Sequence, residues 1–239
     1  MNPSMPEAQA ILVEDERIVE VGTIEHMQPW LDARPHRIDD SFTDHIICPG
    51  FIDPHLHPSM AAVLLPMEFV TAMRWKLPWG TVEPTTTESA FDQRVRQLHH
   101  EKEPEEPLFI WGYHQLWHGK MSKPRITAVS DNRPIVVWHR SFHELYMNDA
   151  ALHMVGLKEQ DIKVGAQIDF GNGHFYETGL GLAIARLNPW ILSPERFANG
   201  LKRLKEVVHY GGHTTIGDMA TGLFAVSYTH LTLPTNREV

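Results

Sequence analysis

The chain has 239 residues, with 21 Lys and Arg against 30 Asp and Glu, a formal charge of −9. That length holds one large domain or two small ones, and 42% hydrophobic residues suffice for a packed core, which excludes wholesale disorder. The acidic balance leaves no footprint for nucleic acid or an anionic membrane, and the lone Cys48 excludes an internal disulfide and a cysteine-paired metal site.

The first seven residues carry no pattern. Ala10-Ile-Leu-Val13, the polar Glu14-Asp-Glu-Arg17 and Ile18-Val-Glu-Val-Gly22 then predict a β-hairpin. A second extended stretch, His45-Ile-Ile-Cys48, runs into the turn pair Pro49-Gly50, and residues 51–57 read as a short strand ended by Pro58. Residues 60–73 are apolar but interrupted by Pro66 and Glu68 and too short to span a bilayer. With no signal pattern at the N-terminus, the chain reads as soluble and cytoplasmic. Residues 76–87 look like a loop ending in a capping box, Thr85-x-x-Glu88, which opens a helix carrying Phe91, Val95 and Leu98 on one stripe.

An acidic linker, Glu101-Lys-Glu-Pro-Glu-Glu106, follows and is most simply solvated. Leu108-Phe-Ile-Trp-Gly112 and Pro134-Ile-Val-Val-Trp138 are the near-continuous apolar runs of strands covered on both faces. Asn148 can cap a short helix stopping at Gly156, and Ser193 with Pro194 opens the clearest helix, which stops at Gly211-Gly212 before a strand at His213-Thr-Thr-Ile-Gly-Asp218. The order is a small β region feeding a parallel α/β region.

Sixteen histidines raise the weight of metal chemistry without locating it. His55 and His57 lie two apart on a short strand, so both rings share a face and can ligate one ion. At this histidine content about one such spacing arises by chance, so the pair alone is weak. Its surroundings are more specific. Cys48-Pro-Gly-Phe-Ile-Asp-Pro-His-Leu-His57 resembles the signature of the amidohydrolase superfamily. The hairpin at residues 10–22 resembles the sandwich hairpin of its amidohydrolase-3 branch, related to N-substituted formamide deformylases, and Gly112-Tyr-His, Arg133-Pro-Ile-Val-Val137, His143 with Asn148-x-x-Ala-Leu152, and Gly212-x-Thr-Thr-x-x-Asp218 resemble that branch's later blocks. The resemblance spans about residues 8–224.

It implies an α/β fold: a partial (β/α)8, TIM-like barrel over residues 49–225, preceded by part of a β-sandwich over residues 1–48. Residues 226–239, with His230, read as a non-native tail. It also implies hydrolysis of a non-peptide C–N bond in a small molecule by metal-activated water, with His55 and His57 holding one or two divalent ions, most simply zinc. The general base and the other ligands are expected beyond the chain's end. Only three barrel strands can be counted, at residues 51–57, 134–139 and 213–218, where a whole barrel takes about 250 residues. The chain therefore reads as a fragment. A truncated, non-catalytic product that binds metal weakly if at all is the alternative, and the same scaffold also hosts deaminases, ester hydrolases and isomerases.

Lesser candidates follow. Asp53 shares the face of the histidine pair and either supports a ligand ring or bonds to its own strand. His143, after a buried strand, either faces substrate or is structural. The spacings His114/His118 and His139/His143 make metal pairs only on a helix, and both follow strand patterns. Asp218 ends a strand at the expected catalytic rim or caps the next loop. Trp75 and Trp79 either shield an apolar substrate or pack on the body. Glu177 takes no role, and His99 and His100 most simply face solvent.

Overall fold

The computed structural model describes residues 4, 6–163 and 165–219, so the expected tail at 226–239 lies outside the described residues. The chain divides into two compact units, Met1–Pro49 and Gly50–Val239. In the first, β1 (Ala10–Glu14) and β2 (Arg17–Gly22) form the predicted antiparallel hairpin. Asp15 and Glu16 both take positive φ, 49° and 64°, which is how a two-residue turn matches the twist of its strands. A helix that the sequence reading missed, α1 (Ile24–Ala33), follows; the Thr23 hydroxyl caps it by accepting from the His26 amide. The extended stretch expected at residues 45–48 forms no strand: no second strand pairs with it, and Ile46 is 95% exposed.

The second unit is built on a six-stranded mixed sheet. Its first strand, β4 (Glu68–Phe69), is preceded in the chain by β3 (Phe51–Leu56) and α2 (Pro58–Leu64). A small hairpin, β5 (Trp75–Leu77) with β6 (Gly80–Val82), occupies the expected loop. Then come α3 (Glu88–Glu101), β7 (Leu108–Tyr113), α4 (Gln115–His118), α5 (Lys123–Thr127), β8 (Ile135–His139), β9 (Glu144–Met147), α6 (Asp149–Met154), β10 (Ile168–Asp169), β11 (His174–Tyr176), α7 (Thr178–Ile191), α8 (Pro194–Tyr210) and β12 (His213–Asp218). The sheet order is β10-β11-β9-β8-β7-β4, with β4, β7 and β8 parallel and the rest antiparallel.

Alternation along β7 and β8 sends Phe109, Trp111, Val136 and Trp138 to one face, under α2, α6 and α7. Leu108, Ile110, Ile135 and Val137 face the other way, under α3 and α5. That is why both strands read as unbroken apolar runs. The start of α3 differs from the expected capping box. Thr87 is the N-cap, accepting from the Ala90 amide, whereas Thr85 is held two residues earlier by its backbone: its N–H donates to the Thr71 carbonyl and its own carbonyl accepts from His118. The linker at residues 101–106 is also tied down. Arg133, 2% exposed, donates to the carbonyls of His99, Glu103 and Glu106.

One of the three expected barrel strands is corrected. Residues 135–139 lie in the six-stranded sheet between β7 and β9, while β3, among the described residues, pairs in parallel with β12 alone, in a two-stranded ribbon. No barrel closes among the described residues. Strand adjacency is set by long-range pairing, and the strands between residues 57 and 212 satisfy their hydrogen bonds with one another. No helix among the described residues is long and apolar enough to cross a membrane.

Candidate functional site

His55 sits near the C-terminal end of β3, and His57 just beyond it as N-cap residue of α2, with Pro58 at the first helical position. The ribbon fixes this end. Leu56 stands opposite Asp218, and its carbonyl accepts from the Met219 amide at 3.0 Å. The two imidazole centroids lie 5.2 Å apart at 79°. Nδ1 of His57 is buried and has no hydrogen-bond partner. A buried ring nitrogen without a donor or acceptor partner costs about 1–3 kcal/mol unless something else engages it. A bare lone pair there meets the electronic requirement of a ligand to a zinc-type ion, and two imidazoles so close fit such an ion as half of a tetrahedral set. Among the described residues no third His, Cys, Asp or Glu joins them.

Asp53 bonds along its own strand: its Oδ1 accepts from the His55 amide at 3.0 Å. Asp218 ends β12 on an exposed position of the same ribbon.

A second collection of polar side chains lies where β7 and β8 end and β9 begins. His139, 6% exposed, takes Ser141 Oγ at 2.7 Å and the Ser141 amide at 3.1 Å on Nδ1, and meets Gln115 Oε1 at 3.0 Å through Nε2. Burial holds its pKa below the ordinary histidine value, with Glu144 at 3.8 Å opposing. His118 is fully buried. Its Nδ1 accepts from the His114 amide at 3.0 Å, and its Nε2–H donates to the Thr85 carbonyl at 2.7 Å, so both nitrogens are spent. Burial lowers its pKa too. Residues 115–118 do form a helical turn, contrary to the strand-based reading, yet the His114/His118 spacing serves this backbone network and not a metal.

The His139/His143 pair is likewise divided. His143 turns outward and meets Glu177, Nδ1 to Oε2, at 3.2 Å. The sequence reading left Glu177 without a role, and it missed Glu144 entirely. Glu144 Oε2 accepts from His174 Nε2 at 2.5 Å, and His174 stacks on Tyr146 at 4.2 Å and 3°. Burial, chiefly, pushes the Tyr146 phenol up. These contacts depend on β9–β11 register, which pairs His174 with Tyr146 and has no local signature.

Trp75 packs edge-on against Phe69 and Trp111, each at 5.5 Å, whereas Trp79 remains 41% exposed beneath Arg203. His99 does not simply face solvent: its ring and carbonyl both engage Arg133, and burial lowers its pKa, with Arg133 adding to the effect. His100 is exposed beside it.

The fold is similar to that of two solved proteins. An uncharacterized metal-dependent hydrolase from Pyrococcus horikoshii OT3 superposes with a TM-score of 0.61 over 87% of this chain and 38% of its own, at 17% identity. A second, from Pyrococcus furiosus, gives 0.58 over 87% and 40%, also at 17% identity. At that identity the likeness is one of fold, and the chain spans about two fifths of each. No protein-family model matches the sequence, and no curated protein does.

Proposed function

We infer that the chain is part of a metal-dependent hydrolase of the amidohydrolase-3 type, cleaving a non-peptide C–N bond of a small-molecule amide or formamide in the cytoplasm. On this reading β3 and β12 are the first two strands of a (β/α)8 barrel, and the insert between them is the six-stranded sheet with its helices. His55 and His57 hold a divalent ion, most simply zinc, and His143 contacts substrate. One observation carries the reading: two imidazoles 5.2 Å apart at the C-terminal end of a parallel strand, one with a buried nitrogen that nothing else engages. The fold likeness to two proteins described as metal-dependent hydrolases supports it.

Bound there, such an ion supplies Lewis acidity, polarising a carbonyl and making water nucleophilic at neutral pH. The chain's own part is positional. Asp53 fixes the backbone at His55, and Pro58 starts α2 so that the His57 ring is set at the strand's end. The general base is not among the residues gathered here. That same observation favours a second reading, a chain that binds metal weakly and turns nothing over by itself, because only two donors come together among the described residues.

The test is metal content. The purified chain, equilibrated by dialysis against excess zinc, is expected to hold one equivalent of zinc above the dialysis buffer by elemental analysis and to unfold cooperatively. His55→Ala and His57→Ala are each expected to abolish retention. Unchanged zinc in either variant rejects the assignment, and a metal-free wild type with a broad transition supports the second reading.

A further inference from the structure

We propose that Glu177 is a positioning residue for His143, locking its imidazole so that Nε2 stands as a fixed acceptor for an N–H group of the ligand. Four observations converge on this pair. Glu177 has φ +43° and ψ −113°, a conformation that side chains other than glycine's rarely adopt, and Phe142, just before His143, has φ +64°. Glu177 is the N-cap residue of the fourteen-residue α7, yet its side chain does not cap the helix; it reaches His143 instead. The backbones are joined as well, the Glu177 amide donating to the His143 carbonyl at 2.9 Å. Both side chains nonetheless remain open to solvent, 68% for His143 and 56% for Glu177.

The turn at Phe142 separates two functions. The Phe142 ring goes down among the aromatics, 6.0 Å from Trp111 and 5.9 Å from Trp138, while the next side chain stands up at the rim. The indole N–H groups of Trp111 and Trp138 are buried without partners. Met60, three residues past His57, packs against the same apolar cluster as Phe142.

The chemistry of the pair assigns its proton. An ionised carboxylate can only accept, so Nδ1 carries the hydrogen and donates it to Glu177 Oε2. In the neutral ring Nε2 then has a lone pair and no protein partner among the described residues. An acceptor beside a carboxylate suits a donor such as the N–H of an amide, and disfavours a carboxylate ligand. This ligand class rests on the C–N hydrolase reading; the tautomer does not.

The experiment is long-range 1H–15N NMR of the histidine-labelled chain, with His143 assigned by its loss in His143→Ala. The wild type is expected to show the Nδ1–H tautomer. In Glu177→Gly, where glycine tolerates the positive φ and the fold is retained, the ring is expected to revert to the Nε2–H form that an unconstrained histidine side chain favours. Benzamide is expected to shift the His143 ring signals saturably, N,N-dimethylbenzamide to shift them at least tenfold less, and Glu177→Gly to erase the difference. An Nε2–H ring in the wild type, a ring unchanged by Glu177→Gly, or equal or absent responses to the two amides overturns the proposal. Zinc retention by His55 and His57 is read separately, so failure there leaves the tautomer result standing and failure here leaves the metal result standing.

Discussion

Replacing Asn148 by Ala removes four hydrogen bonds from a side chain that is 0% exposed. Oδ1 accepts from the Ile135 and Ala151 amides, both at 3.0 Å, and Nδ2 donates to the carbonyls of Arg133 at 2.8 Å and Ser130 at 3.1 Å. One carboxamide therefore caps α6, starts β8 and closes the turn before it. Loss of the N-cap costs about 1 kcal/mol. Stranding the buried Ile135 N–H costs about 1–3 kcal/mol more. The two carbonyls lose a donor each and add to this, so a total of about 3–4 kcal/mol is expected, a large share of the about 5–15 kcal/mol that holds a domain. Asn148→Asp keeps the acceptor side but faces two carbonyls with oxygen, and is expected to cost nearly as much. Urea unfolding followed by tryptophan fluorescence reads the change as a shift in midpoint at constant slope. A loss under about 1 kcal/mol would show that the four bonds are replaced by water and would refute the reasoning.

Acid is expected to weaken the fold through its histidines. His118, His139 and His99 all have pKa values lowered chiefly by burial, so between their folded values and the ordinary 6.5 the unfolded chain binds more protons than the native one. Stability therefore holds above pH 6.5 and falls as the pH drops below it; His118→Gln is expected to flatten that slope in thermal scans at pH 5 to 7, and an unchanged slope would remove His118 as a cause. Gly200→Ala would drive a Cβ into the Ala62 carbonyl where α8 crosses α2, and is expected to lower stability by about 1–3 kcal/mol in the same urea assay. Gly181→Ala, inside α7 with nothing within 4 Å, is the control, expected to gain about 0.4–1 kcal/mol.

What could be read from the sequence was what is local. The hairpin at Ala10–Gly22, the Asn148 and Ser193 caps, the apolar stripe of α3 and the two buried strands each carry their signal within a few residues, and each formed. The closeness of His55 and His57 is local too, since two residues so near in the chain fix their own spacing, although His57 falls just past β3 as the N-cap residue of α2. What failed was everything decided at a distance. β8 was assigned to the wrong sheet because nothing in residues 134–139 says that Leu108–Tyr113 will lie beside it. Glu177 and Glu144 stayed without roles because their partners, His143 and His174, are brought in by strand pairing across some thirty positions. α7 was missed because Pro189 and two glycines mask a stripe of Leu180, Ala183, Leu187 and Ile191 that tertiary packing nonetheless uses.

The ribbon that carries His55 and His57 poses a further question, since its two strands are joined only through the whole of residues 57–212. Closing so long a connection for one pair of parallel strands is entropically unfavourable, and a two-stranded sheet offers little in return. The insert answers this by folding as a body whose two ends meet. α2 leaves β3 and α8 leads into β12, and these two helices pack on each other so closely that only glycine fits at position 200, while Arg203 Nη1 donates to the Leu65 carbonyl at 2.7 Å. The α2–α8 contact thus holds the ends of β3 and β12 near one another, which lowers the entropic cost of pairing them. The histidine pair inherits its geometry from that clamp: His57 is the N-cap residue of the same α2 that Gly200 admits, so a substitution at the crossing reaches the imidazoles without touching them.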